Sequence, residues 1–404
     1  MHAILQFVRH SWALLLFGFI SVFFGNFGQS FFIGVYGESI KDSLNLSASA
    51  YGSIYSIATF FAGFIFLFAG GWIDKLPLRR FSLFAALGMF AACIFLGVAN
   101  SVYLLFIGFF LVRLFGQGLL PHTGLITMAR MFNKNRGKAL SIATSAVPIG
   151  EILLPFVAVV FILNLGWQSS WFVFAIFIPL VYIPFAWFLL NDKNSRPPEI
   201  QEHDETKKHV LKDINGRYSL LATKQFWLVL PALLYGPFVV TGVFIHQDYV
   251  IFQKDWGHAW WASCFVFYGI VHWLSSLAVG VLIDRFSAKK LIAWYNVPIV
   301  LSMLCLVLAS GDLVTLAFLG FLGITIGFGG PIGSAMWAEL YGTSHLGGIR
   351  SMVAAFSVVA TAISPVLLGA AIDSNLSFST IVYVTMAVGI VAALMSTFAY
   401  RKCS

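Results

Sequence analysis

The sequence predicts an all-α membrane protein with 12 transmembrane helices in two pseudo-symmetric six-helix bundles, and three observations carry that prediction. The first is composition: 59% of the 404 residues are hydrophobic and 10% are charged, with a mean hydropathy of +0.89, whereas soluble domains average roughly 25% charged residues. The second is segmentation, because the apolar residues fall into runs of about the 20 residues that a helix needs to cross a bilayer. The third is repetition. Gly70-Gly71-Trp72-Ile73-Asp74-Lys75 with Arg79 and Arg80 returns as Gly280-Val281-Leu282-Ile283-Asp284-Arg285 with Lys289 and Lys290, an offset of 210 residues. At the same offset Pro121 matches Pro331, Gly137 matches Gly347 and Pro155 matches Pro365. One unit has been joined to a second copy of itself.

The spans lie near 12–37, 50–73, 82–99, 102–128, 139–164 and 168–190, then 225–247, 259–283, 289–309, 313–337, 348–372 and 378–400. Residues 1–190 form one bundle and 223–404 the other, joined by the polar linker 191–222 with its Arg196-Pro197-Pro198-Glu199 run. Helix 1 carries Gly18, Gly25, Gly28 and Gly34 for close helix approach, together with Asn26 and Gln29. The latter two are read either as interhelical hydrogen bonds or as part of a solute path. Helix 2 ends at Asp74, at the carboxyl end of its helix, where the macrodipole disfavours an anion. A helix amino end, Arg79, Arg80 or Arg130 would satisfy it.

Helix 4 contains Arg113 in mid-span, and a charge there is costly enough to imply a polar cavity or a paired acid. At 100° per residue Arg113, Gln117, Leu120, Gly124 and Thr127 share a stripe, with His122 opposite as a packing residue. Helix 5 holds Glu151 on a stripe with Thr144, Pro148 and Pro155. Two readings of Glu151 stand: a proton site, or a fixed counter-ion to Arg113. Helix 7 aligns Tyr235, Gly242 and His246, and its Gly236-Pro237 pair predicts a break or bend. Helix 8 aligns Tyr268, His272 and Ser275.

Charge sets orientation. Of 24 Lys and Arg residues, 21 fall in alternate loops or tails on one side, two (Lys41 and Lys254) on the other, and Arg113 within a span. Basic flanks stay cytoplasmic, so both termini are expected there. The net charge of +8 is spread over these loops, which argues against nucleic acid as a partner. The first run is too long for a signal-peptide core and is expected to remain as a helix. Cys93, Cys264, Cys305 and Cys403 show no ligand spacing, so neither metal nor disulfide is expected. The linker is too short for a catalytic domain, and no Gly-rich phosphate loop with a Lys beside it is present, which disfavours ATP-driven transport and an enzyme.

Twelve spans in two halves, a cytoplasmic linker and the Gly-x-x-x-Asp-base loop after helices 2 and 8 together resemble the major facilitator superfamily of secondary transporters. Arg113 followed by Gly116-Gln117-Gly118 is similar to the superfamily's helix 4 motif, whose Arg is tied to proton coupling. Arg136-Gly137-Lys138-Ala139 and Glu339-Leu340-Tyr341-Gly342 resemble the monocarboxylate and oxalate/formate branch. There are departures: the family's loop Gly and the base after it are Pro77 and Leu78 in one copy and Ser287 and Ala288 in the other. Helix 8 offers His272 where that branch often has Arg, and helix 11 has no mid-span base.

The resemblance implies the major facilitator fold and a proton-coupled symporter of a small organic anion working by alternating access, with no cofactor and no enzymatic activity. Asn26, Gln29, Arg113, Gln117, Tyr235, His246, Tyr268 and His272 are the expected substrate-binding residues. Arg113 and Glu151 are expected to couple protons. Asp74, Arg79, Arg80, Arg130, Asp284 and Arg285 are expected to form a cytoplasmic gate, with Asp74 at the amino end of helix 11 near Gly347 and Gly348, and Asp284 at that of helix 5 near Gly137. The partners are a small-molecule substrate, protons and the lipid bilayer of a bacterial inner (plasma) membrane, for a monomeric chain. The rival readings are an exporter of hydrophobic or drug-like compounds, suggested by the 42 Phe, and a transport-inactive receptor or scaffold.

Overall fold

In a computed structural model, which describes residues 2–132, 135–190, 223–341 and 346–399, the chain divides into two compact units, Met1–Ile200 and Gln201–Ser404. Among the described residues, eleven helices are long and apolar enough to cross a membrane, and Val297–Leu308 is a shorter apolar helix. The linker expected at 191–222 lies outside the described residues.

In the first unit α1 spans His2–Gly25, α2 Ala48–Ala69 and α3 Leu78–Gly97; α4 runs Val102–Met131, α5 Arg136–Leu165 and α6 Trp167–Leu189. Hydroxyl caps start several helices: Ser47 Oγ accepts from Ala50 N at 3.2 Å before α2, and Ser101 Oγ from Leu104 N at 3.5 Å before α4. On α2, Ile57, Phe60, Phe61 and Phe64 are exposed, as expected of a helix whose outer face meets lipid tails and not water.

Two expectations change here. Helix 1 does not run unbroken to residue 37. It gives way to a 3₁₀ turn at Asn26–Gly28, Gln29 is extended at φ −82° and ψ 149°, and short helical pieces follow to Leu44. The reason is close approach: a Cβ on Gly28 would collide with Gln117 N and Val112 O of α4. Nor does helix 4 keep one register. Val112–Leu119 is a π-helix, and it ends just before Pro121, which has no N–H to give to the carbonyl one α-turn back. The wider turn shifts the phase, so Arg113, Gln117, Leu120, Gly124 and Thr127 do not form a single stripe. Gly124 instead seats against Gly18 O and Ser21 of α1.

In the second unit α7 spans Lys224–Ile245, α8 His258–Phe286, α9 Val297–Leu308, α10 Leu313–Tyr341, α11 Leu346–Asp373 and α12 Phe378–Phe398. The Gly236-Pro237 pair does not interrupt α7, which continues through Pro231 and Pro237. Helix 9, expected over 289–309, is shorter: Ala288–Leu291 forms one turn, and the helix proper starts at Val297 with Pro298 in its first turn, where a missing N–H costs nothing. Twelve residues rise about 18 Å. Between α7 and α8 the short helix Gln247–Lys254 ends at Lys254, whose Nζ donates to Leu306 O at 2.9 Å and Ala309 O at 2.6 Å. That contact caps α9 at its negative end, and partial burial lowers the Lys254 ammonium below the usual lysine range.

Candidate functional site

The first unit builds a charged locus around the break in α1. A helix interrupted in the membrane exposes carbonyls that must be satisfied within the protein. Arg113 does this: its Nη1 donates to Gly28 O at 2.8 Å, and its guanidinium lies 5.0 Å from the centre of the Tyr55 ring. Arg113 is 3% exposed, Tyr55 is fully buried, and Arg113 Nε has no hydrogen-bond partner among the described residues. A buried guanidinium held by a carbonyl and a ring face, with one N–H left over, can still accept an anion.

Gln117 joins this locus, because its backbone N abuts Gly28. Asn26, next to the break, donates from Nδ2 to Ala146 O at 2.9 Å, and its amide packs on Gly150 of α5. Glu151, one residue further along α5, is 4% exposed. The structure therefore gathers Asn26, Gln29, Arg113 and Gln117 around one break and ties it to the turn of α5 that carries Glu151. His122 stands apart, with Nε2 3.1 Å from Gly70 O and its ring edge-on to Phe66.

The four candidates of the second unit are split. Tyr235 donates to Thr385 O of α12 at 2.7 Å. His246 lies past the end of α7 with Nε2 2.8 Å from Pro365 O of α11. Tyr268 and His272 belong to a ring cluster with Phe244 and Phe265. Sharing a stripe placed these side chains on one face but not toward one neighbour.

Two features were not read from the sequence. Tyr55 was missed, although Tyr51, Tyr55 and Thr59 recur at every fourth residue, a helical face of polar tips. The second is a cavity of about 270 Å³ lined by Tyr295, Gly329, Gly330, Gly333, Trp337 and Ser357, among others. Trp337 Nε1 is buried without a hydrogen-bond partner among the described residues. No Asp, Glu, His, Lys or Arg side chain lines it, so the donors and acceptors there are those of Tyr295, Ser334, Trp337 and Ser357.

At the loop ends Asp74 pairs with Arg130, one of the bases the sequence offered it. Arg79 stacks over Trp187 and donates to its carbonyl at 3.3 Å. Arg80, Asp284 and Arg285 are exposed, and Arg285 lies 5.3 Å from the Phe286 ring. The side-chain surroundings of Gly347 and Gly348 lie outside the described residues.

An all-helical, multi-pass membrane chain with a repeated cationic loop and a buried mid-span guanidinium defines a membrane transporter. The family model of the Major Facilitator Superfamily matches residues 18–271 and 251–402, and the chain belongs to that family. It is similar to an uncharacterized MFS-type transporter, YcxA, of Bacillus subtilis (strain 168): 24% identical over 371 residues, covering 88% of this chain and 87% of the relative. In fold it resembles the nucleoside transporter NupG, with a TM-score of 0.76 and 14% identity over 96% of this chain and 99% of that one. A peptide transporter, POT, in complex with alafosfalin gives 0.69 and 16% identity, over 96% and 95%.

Proposed function

We propose that the chain is a secondary active transporter that moves a small organic anion, such as a carboxylate, by alternating access coupled to protons. The observation that carries this reading is Arg113: a buried cation whose Nε is unpartnered among the described residues, fixed beside the broken α1 by Gly28 O and Tyr55. A scaffold gains nothing from so costly a group. The Arg136-Gly137-Lys138-Ala139 and Glu339-Leu340-Tyr341-Gly342 segments add the resemblance to the monocarboxylate and oxalate/formate branch. Asn26, Gln29, Gln117, Tyr235, His246, Tyr268 and His272 are the remaining proposed solute-binding residues, and Asp74, Arg79, Arg80, Arg130, Asp284 and Arg285 the proposed gate at the basic end.

Glu151 is the proposed proton carrier. It is buried at 4% exposure in the same unit as Arg113, and in this reading release of its proton resets the site. The test is uptake into proteoliposomes under an imposed pH gradient, with monocarboxylates and dicarboxylates set against a nucleoside and a dipeptide, the kinds of cargo named for the structural neighbours. Carboxylate uptake that depends on the gradient, with Glu151→Gln keeping exchange but losing the gradient response, is the expected result. Uptake of the nucleoside or dipeptide in place of any carboxylate overturns the anion reading, and an unchanged gradient response in Glu151→Gln overturns the role of Glu151.

A further inference from the structure

The second unit contains a larger cavity, to which the transport reading assigns only Tyr235 among the lining residues. It encloses about 440 Å³ and is lined by α7, α9, α11 and α12, within the 300–1,000 Å³ range of small-molecule sites. It lies at the end of the bundle where α7, α9 and α11 finish and α12 begins, away from the Arg285, Lys289 and Lys290 loop. Lys254 lies at this end, engaged on the carbonyls that close α9.

The lining decides what fits. Five hydroxyl side chains reach the cavity, those of Tyr235, Tyr249, Ser364, Thr380 and Thr385. Four are engaged within the protein: Tyr235 with Thr385 O, Ser364 with Phe238 O at 2.5 Å, Thr385 with Ile381 O at 2.8 Å, and Thr380 with Ser377 at 2.7 Å. Tyr249, at the loop end, pairs its ring with Phe378. The remaining walls are Val, Leu, Ile, Met, Phe, Ala and Gly. The donors of Tyr235, Ser364 and Thr385 are spent on backbone carbonyls, and most of the wall is hydrocarbon, so the cavity suits a largely apolar ligand better than a polar solute.

Access is from the side. Leu367, Val384 and Val388 line the cavity and are exposed by 55%, 59% and 52%. On membrane-spanning helices such positions face hydrocarbon. The depth is also telling: from Phe378 to Val388 α12 rises about 15 Å, half the hydrocarbon thickness of about 30 Å. One leaflet's acyl chain has that reach, and Tyr249 stands where an amphipathic ring meets the headgroup level.

We propose that this cavity is a lipid site that takes one acyl chain of a membrane phospholipid laterally from the adjoining leaflet, with Leu367, Val384 and Val388 as its mouth. The proposal rests on the membrane character of the chain and not on the identity of its cargo. It is tested with the full chain in nanodiscs containing a phosphatidylcholine that bears a photoreactive diazirine near the end of one acyl chain, with adducts mapped by mass spectrometry. Adducts on residues 235–250 and 364–388 should exceed those on the lipid-facing α2 surface about tenfold. Val388→Trp, at the half-exposed mouth, and Ala371→Phe, inside, should each cut the cavity adducts about fivefold and leave those on α2 unchanged. Equal labelling of α2 and the cavity overturns the proposal, as does undiminished cavity labelling in a folded Val388→Trp protein. Displacement of the cavity adduct by a free hydrophobic compound at concentrations where added phospholipid has no effect also overturns it, and would assign the cavity to a hydrophobic cargo.

Discussion

The two units repeat one loop motif but fasten it with opposite charges. In the first, the acid sits in the loop and the base on α4: Asp74 pairs with Arg130. In the second, the acid sits on α10, where Glu339 accepts from Ala288 N at 2.8 Å and Lys289 N at 3.1 Å, backbone donors that follow α8. Asp284 is left exposed, and the position matching Arg130 is Leu340. The same contrast holds in mid-span. Arg113 matches Gly323, and Gly323 has no room for a side chain because its Cβ would lie 2.9 Å from Tyr268 O and 3.2 Å from His272 N of α8. The repeat therefore preserves which helices are held together while exchanging the groups that hold them. The first unit keeps the buried charge, and the second turns the equivalent position into a backbone contact.

The sharpest way to break this comparison is Arg113→Ala. If the first unit holds the anion-binding charge, uptake should fall at least about 100-fold, roughly 2.7 kcal/mol of lost stabilisation, in protein that still elutes as a single species. Arg113→Lys separates two roles, because a lysine keeps the charge but cannot both stack on Tyr55 and reach Gly28 O in the same way. Partial uptake in Arg113→Lys with none in Arg113→Ala is the expected pattern. Wild-type uptake in Arg113→Ala would remove the charge asymmetry between the units.

A second comparison concerns packing. Gly28→Ala places a methyl into backbone atoms of the π-helical turn, Gln117 N and Val112 O, whereas Gly323→Ala meets Tyr268 O at a longer distance. Overpacking costs about 1–3 kcal/mol, so both should lower the thermal midpoint in detergent, Gly28→Ala by more. The reverse order would show that the break in α1 yields more readily than the α8–α10 contact.

Much of this architecture was legible beforehand because lipid imposes it. Span length, loop charge and the 210-residue offset each follow from a constraint that acts on the chain as a whole. What was not legible was local and cooperative. The break at Gln29 depends on Gly28 meeting α4, and the π-turn at Val112–Leu119 depends on Pro121, so the helical wheel drawn through Arg113 lost its phase. The stripe through Tyr235, Gly242 and His246 fixed a face but not which neighbour each side chain would reach. Tyr55 and the Glu339 contact needed two elements placed together before either could be seen.

The loops themselves offer a smaller effect of stabilising sign. Ser287 has φ 67° and ψ 149°, a region that suits glycine and costs other residues about 1–3 kcal/mol. Its counterpart Pro77 has φ −53°, well suited to proline. Ser287→Gly should raise the thermal midpoint by the equivalent of about 1 kcal/mol, and Pro77→Gly should lower it by freeing the unfolded chain. A rise in both, or in neither, would mean that the two loops do not differ in backbone strain.

The smallest expected effect tests the fastening groups directly. The Asp74–Arg130 pair is partly exposed, with side chains 49% and 32% accessible, and exposed ion pairs contribute about 0–1 kcal/mol. Glu339 is also exposed, but its carboxylate takes two backbone N–H groups at the start of the Ala288–Leu291 turn. Charge-assisted bonds to otherwise unpaired backbone donors contribute more than a screened side-chain pair. Asp74→Asn should therefore shift the midpoint by less than about 1 kcal/mol, and Glu339→Gln by somewhat more, since the amide replaces one acceptor with a donor facing another donor. Salt separates them further: raising ionic strength should reduce the Asp74→Asn difference within a Debye length of about 10 Å at 0.1 M, while the Glu339→Gln difference should persist because a lost acceptor is not restored by screening. Equal shifts that vanish together at high salt would show that both loops are held by surface electrostatics alone, and the exchange of groups between the two units would then have no energetic consequence.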